Sequence, residues 1–301
     1  MMTLHSRVTC TLFLLACAHM GVAAETLSVN GKLKAGMEYQ SNVNISELEQ
    51  ASGESDTATV LEGEINAAWQ VSDNVRLDSG YSINDKRYRN ASAYDSRLQL
   101  AFIDASYAFD NLTLGSSVYL AQADLDGSDF LALNQFSVYA MHNLSDSWFI
   151  RPSVVYADKD FAQFESRDAS NKSANIDSFW FFQQGQRFIS LGATYEDEDT
   201  LDKAFSYRAK SMNIRLSNQF DLWHVVQKIQ LGMKLTQRDY ALAIDDNKRN
   251  DIHQHIDAKW ELNINSTFAL LTSVEYGDYQ SILTSADYDE TRAGLMLQAS
   301  F

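Results

Sequence analysis

The chain has almost no proline. One proline in 301 residues, with only thirteen glycines, excludes collagen, proline-rich linkers and low-complexity repeats. Basic residues are also in short supply: 24 Lys and Arg stand against 40 Asp and Glu, a net charge of −16, which argues against nucleic acid as a main partner. Cysteine occurs only as Cys10 and Cys17, so a chain without its first two dozen residues has no thiol. Disulfides, thiolate metal sites and cysteine nucleophiles are then excluded as well. Beyond Glu25 no window approaches the ~18 to 20 apolar residues of a spanning helix. The densest patch is Phe179-Trp180-Phe181-Phe182.

The N-terminus has the layout of a secretory signal peptide over residues 1–24. Arg7 supplies the positive region, Thr11 to Ala18 the short apolar stretch, and Val22-Ala23-Ala24 a small-residue cleavage pattern before Glu25. A competing reading takes Leu14-Leu15-Ala16-Cys17 as a lipoprotein box with Cys17 acylated, though leucine at its middle position fits poorly. The mature chain, 25–301, is expected to form a single domain.

What the chain does have is alternation. Leu27, Val29, Gly31, Leu33, Ala35, Met37 and Tyr39 interleave with Ser28, Asn30, Lys32, Lys34, Gly36, Glu38 and Gln40. Leu61 to Val71 repeats the pattern. From Asp251, one face reads Asp251, His253, His255, Asp257, Lys259, Glu261 and the other Ile252, Gln254, Ile256, Ala258, Trp260, Leu262. Period two predicts strands with one greasy and one ionised face, longer than the usual ~5 to 6 residues of soluble sheets.

About fourteen such segments recur: 28–43, 57–71, 75–84, 95–109, 112–121, 131–144, 148–157, 174–184, 187–195, 206–220, 224–238, 250–262, 267–276 and 291–301. Those at 95–109 and 131–144 change phase, as a bulge makes them do. Short turns (Ser72-Asp73-Asn74, Asp110-Asn111, Ser145-Asp146-Ser147, Gly185-Gln186, Asp221-Leu222, Asn265-Ser266) alternate with longer acidic loops at 44–56, 85–94, 122–130, 158–173, 196–205, 239–249 and 277–290. An even strand count with short turns at one end predicts an all-β, antiparallel up-and-down transmembrane β-barrel in a bacterial outer membrane, both termini periplasmic.

Trp69, Trp148, Trp180, Trp223 and Trp260 each fall within five residues of a short turn, where an aromatic girdle at the periplasmic interface belongs. The chain closes on Leu295, Leu297, Ala299 and Phe301; a closing strand with terminal Phe301 resembles the assembly signal of outer-membrane barrels. The partners expected are therefore outer-membrane lipid, lipopolysaccharide and the barrel-assembly machinery.

By parity the lumen receives Lys32, Lys34, Glu38, Glu62, Glu64, Arg76, Asp78, Arg97, Arg151, Arg215, Lys228, Lys234, Arg238, Asp251, His253, His255, Asp257, Lys259, Glu261, Glu275 and Arg292. So many ions are not buried dry; the interior is either hydrated or braced by ion pairs. Fourteen strands leave more room than the eight that side chains fill, and a porin-like passage for small hydrophilic solutes is the first functional expectation. Carboxylates in three loops (Glu47, Glu49, Glu54, Asp56; Asp124, Asp126, Asp129; Glu196, Asp197, Glu198, Asp199, Asp202) ring the outer mouth, either favouring cations or simply solvated. The alternatives are an export barrel with a periplasmic partner and a non-conducting structural or adhesion barrel.

An enzyme is not expected. The mature chain has His142 and His224 near periplasmic turns, and His253 and His255, which share a face with Asp251 and Asp257. Same-face neighbours sit ~7 Å apart, too far for two to hold one metal without adjustment. No phosphate loop, CxxC or HExxH occurs, and no metal or cofactor is expected.

One local signature remains. Leu33-Lys34-Ala35-Gly36-Met37-Glu38-Tyr39-Gln40-Ser41-Asn42-Val43-Asn44 resembles the first barrel strand of the surface lipoprotein assembly modifier family, with its Tyr-x-Ser-Asn-Val-Asn element. The likeness covers about a dozen residues plus the closing strand Arg292 to Phe301. It implies a fourteen-stranded barrel that helps lipoproteins reach the cell surface, normally joined to a periplasmic helical-repeat domain. This chain is read as lacking that domain, which implies a barrel-only relative or a separate periplasmic partner.

Overall fold

In the computed structural model the described residues are 27–244 and 247–301. The segment read as a signal peptide, with Cys17, lies outside them. Fourteen antiparallel strands close into one barrel. They are β1 (Leu27–Gln40), β4 (Asp56–Gln70), β5 (Val75–Tyr88), β6 (Ser96–Ala108), β7 (Leu112–Leu125), β8 (Ser128–Ser145), β9 (Trp148–Phe161), β10 (Ala169–Phe182), β11 (Arg187–Thr200), β12 (Tyr207–Leu222), β13 (Val225–Ile244), β14 (Asn247–Asn263), β15 (Phe268–Gln280) and β16 (Tyr288–Ser300). A small hairpin, β2 (Asn44–Ile45) and β3 (Gln50–Ala51), sits in the first loop. Each barrel strand pairs with its neighbour in sequence, and β1 closes on β16. Among the described residues no helix is long and apolar enough to cross a membrane.

Closure satisfies the backbone groups that an open edge would leave bare in hydrocarbon. The last rung joins the chain ends: Gly31 N donates to Phe301 O at 2.8 Å and Phe301 N to Gly31 O at 3.0 Å. The Phe301 ring lies so close to Gly31 that a Cβ there would stand 2.5 Å from it, so a side chain at that position would have to push the ring aside. Large apolar residues face outward and bare, among them Leu33, Ile65, Ile103, Val154, Ile176 and Leu295. A soluble protein does not tolerate such a belt; lipid requires it. Trp69, Trp148, Trp180 and Trp260 lie toward the short-turn end of the barrel, and Trp223 sits in its turn at φ 56°.

The strands run to 20 residues, beyond the ~9 to 11 needed to cross. The extra length lies at the outer end, and the acidic loops after the first are accordingly shorter than the sequence suggests. The expected loop at 122–130 is a two-residue turn, Asp126-Gly127, with positive φ at both positions. Glu196 to Asp199 continue β11. There Glu196 and Glu198 point inward to Asn171, while Asp197 and Asp199 point outward to Arg208 and Lys203. Above the membrane both faces are polar, so the hydrophobic alternation ends before the hydrogen-bonded ladder does. Arg97 also differs from expectation: it pairs with Asp85 at 2.9 Å, on the outward face with Leu61.

Of the two expected bulges, β8 shifts register near both of its ends. β6 has none, its ladders to β5 and β7 being unbroken. Its apparent phase change comes from apolar residues on the inward face, Leu98, Leu100 and Phe102.

Candidate functional site

Cross-strand partners share a face, so the ladders carry the inward parity from strand to strand around the barrel. Lys32, Lys34, Glu38, Glu62, Glu64, Arg76 and Asp78 stand on the inward face. So do Arg151, Arg215, Lys234, Arg238, Asp251, His253, His255, Asp257, Lys259, Glu261 and Arg292, with Lys228 and Glu275.

Most of these ions are paired along the wall. Lys34 meets Glu62 at 2.7 Å, Lys86 meets Glu38 at 2.6 Å, and Lys32 meets Glu64 at 3.3 Å. Arg76 binds Asp78 and Arg151 approaches Asp177. Arg215 grips Asp257 with two N–H donors, at 3.0 and 3.1 Å. The fork fits because residue 232 is glycine: a Cβ there would lie 2.3 Å from Asp257 Oδ1. With Asp257 so engaged, His255 stays 3.9 Å from it, and His253 packs against the Tyr279 ring instead. The histidine row is thus divided between separate contacts, and among the described residues no cluster has the makings of a metal site.

The first loop, residues 41–55, does not extend into solvent. It folds inward across the outer mouth. Val43 is fully buried and hydrogen-bonds Glu54 O and Ser52 N. The β2–β3 hairpin and a single 3-10 turn, Ser46–Leu48, carry the chain to its tip. At the tip Leu48, 3% exposed, packs against Phe130 and Phe161, flanked by Ile45, Leu125, Leu131 and Phe164. The next residue, Glu49, has left-handed backbone (φ 55°), which directs its side chain to another part of the wall.

There its carboxylate accepts from Arg249 at 2.9 Å and from the Tyr240 hydroxyl, with Arg238 at 3.6 Å and Arg167 at 3.9 Å. Arg249 is itself buried and also donates to Asp251, which receives Ser281 Oγ at 2.8 Å. Arg167 reaches back to the loop, donating to the Glu47 and Leu48 carbonyls at 3.1 and 2.9 Å. Burial pushes the Glu49 carboxyl up, but the Tyr240 hydroxyl and the Arg249 guanidinium outweigh it, leaving Glu49 below its ordinary value of 4.5. On the near side Asn44 donates to Glu290, which also receives Gln40 and Arg292.

Of these residues, parity had placed only Arg238, Asp251 and Arg292 in the lumen; it missed Asn44, Arg167, Tyr240, Arg249 and Glu290, and Glu49 stood only among the acids of the mouth. A local signal existed: Arg167 and Arg249 are the single arginines of the segments 158–173 and 239–249. Beneath the loop lies a cavity of about 740 Å3, with Asn44 to Glu47 in its roof and Lys34, Glu62, Lys86, Lys259 and Glu275 among its walls.

The sequence signature at Leu33 to Asn44 now has its counterpart along the whole barrel. The family model described as surface lipoprotein assembly modifier matches residues 32–292. The chain belongs to that family. Its barrel is similar to OmpT of Vibrio cholerae, with TM-score 0.56 at 8% identity, covering 92% of this chain and 100% of that one. It is similar to an anion-selective porin from Comamonas acidovorans, with TM-score 0.54 at 10% identity, covering 92% of this chain and 100% of that one. It is similar also to CdiB from Acinetobacter baumannii, with TM-score 0.53 at 11% identity, covering 91% of this chain but 60% of that one. Identities this low speak for the fold alone. No curated protein matches. This member of the surface lipoprotein assembly modifier family is an outer-membrane β-barrel.

Proposed function

We propose that the barrel is the outer-membrane component of a surface-lipoprotein assembly route, and that its first loop keeps it closed at rest. Family membership supplies the class of client. The observation that carries the closed state is Glu49, held across the lumen by Arg249, Arg238 and Tyr240. A loop fixed at both ends of its tip suits a seal better than an open diffusion pore. An export barrel needs such a seal between clients and a partner that opens it, and the inward-facing periplasmic mouth is where a separate periplasmic partner would engage. Lipopolysaccharide would contact the outward ions Arg97 and Arg208, and the assembly machinery the closing strand at Phe301.

The test is the number of lipoprotein molecules accessible to antibody on intact cells, with the gene present, deleted or carrying Glu49→Gln. The proposal expects display to fall on deletion while total lipoprotein stays constant. Unchanged display in the deletion would refute it. The second reading, a channel for small hydrophilic solutes, is favoured by the ion-paired walls of the 740 Å3 cavity. It expects faster solute uptake by wild-type cells than by the deletion, with no change in display.

A further inference from the structure

A barrel interior is ordinarily polar, and the inward face of β6 to β8 is not. Leu98, Leu100 and Phe102 of β6, Tyr119 of β7, and Leu131 and Leu133 of β8 occupy neighbouring rungs of that face. Only Leu131 belongs to the socket that receives Leu48. The other five are outside that socket, Leu98 on the same rung as Leu131, and Leu98 is 45% exposed to the lumen. The Phe102 and Tyr119 rings stack at 5.5 Å and 22°, so they cover each other and leave little open face for a sugar. Leu98 and Leu131 line the 740 Å3 cavity, whose other wall holds Lys34 with Glu62 and Lys86 with Glu38.

A cavity of this size falls in the range of small-ligand pockets, roughly 300 to 1,000 Å3, and is too small for a folded domain. Much of its ionic wall is paired, Lys34 with Glu62, Lys86 with Glu38 and Lys259 with Glu275, which leaves little charge for a simple ion. Its apolar wall is only partly covered by the loop: Ala123 and Leu131 pack against the Leu48 cluster, whereas Leu98 is outside that cluster. We propose that this cavity binds an acyl chain of the lipidated client, with the alkyl part on the β6–β8 wall and the polar head toward the paired ions. The proposal rests on the assembly reading above. It adds that the barrel recognises the lipid, not only the polypeptide.

Residues 27–301 contain no cysteine, so Leu98→Cys gives a single labelling site in that span. A polarity-sensitive dye placed there in nanodiscs is titrated with a triacylated lipopeptide and with the same peptide lacking acyl chains. A second dye site, Gln298→Cys, reports on the ionic wall. A blue shift with the acylated peptide alone, larger at position 98, is expected. Leu100→Asn with Leu133→Asn should weaken that binding about tenfold while the barrel stays heat-modifiable. No shift, or an equal shift with the unacylated peptide, overturns the acyl site even if lipoprotein display depends on the barrel. A dye already blue-shifted and unresponsive assigns the wall to membrane lipid and also overturns it. A shift without any dependence of display on the barrel overturns the client, and with it the assembly reading.

Discussion

Glu49 and Arg249 are 200 positions apart in the chain and 2.9 Å apart in the barrel. The contact joins the tip of the first loop to the inward face of β14, and both side chains are buried. A buried ion pair adds little net stability against an apolar pair, but breaking one partner is costly, about 3 to 5 kcal/mol, because the other charge is left uncompensated.

Glu49→Gln should therefore free the loop without unfolding the barrel. Arg249 keeps Asp251, while the Glu49 contacts to Arg238 and Arg167 weaken. Limited proteolysis between residues 41 and 55 measures this: rapid cleavage is expected in the variant and slow cleavage in the wild type, with heat-modifiability unchanged in both.

The same latch has a pH dependence of known sign. The folded Glu49 lies below 4.5, so its contribution is complete above that value and is lost as pH falls through the depressed folded value. An acid protease should cut the wild-type loop increasingly as pH falls below the ordinary carboxyl value of 4.5 and through the depressed folded one. Glu49→Gln should show no such step, which separates Glu49 from other carboxylates titrating in the same range.

Leu48 is the apolar half of the closure. Leu48→Ala empties a socket formed by Phe130 and Phe161 and should weaken loop docking by about 2 to 5 kcal/mol. Amide exchange of the 41–55 segment checks it, with faster exchange expected there and none in the barrel strands.

Gly232→Val tests the wall itself. The added carbons would displace Asp257 from Arg215, leaving two inward charges unpaired. Lower refolding yield and a lower temperature of heat modification are expected, whereas the same change at Gly53, with open space around it but positive φ, should affect only the loop.

Much of the barrel was legible in the sequence because its two faces meet different solvents. Where lipid lies on one side and ions on the other, as at Asp251 to Leu262, alternation marks the strand and its facing together. At Glu196 to Asp199 both sides are polar, and the same strand reads as a loop. At Leu98 to Phe102 the lumen side is apolar as well, and a regular strand reads as a slip in phase. The latch left the faintest mark. Glu49 is one of a dozen carboxylates near the mouth, and nothing local distinguishes the one to which Arg249 and Tyr240 donate from 200 and 191 residues away.

The central claim, a barrel closed at rest by its first loop, is tested most directly by single-channel recording of the refolded protein in a planar bilayer. Wild-type protein should be silent at neutral pH, and Glu49→Gln should show frequent, resolvable openings. Steady wild-type conductance, unchanged by Glu49→Gln, would contradict the claim.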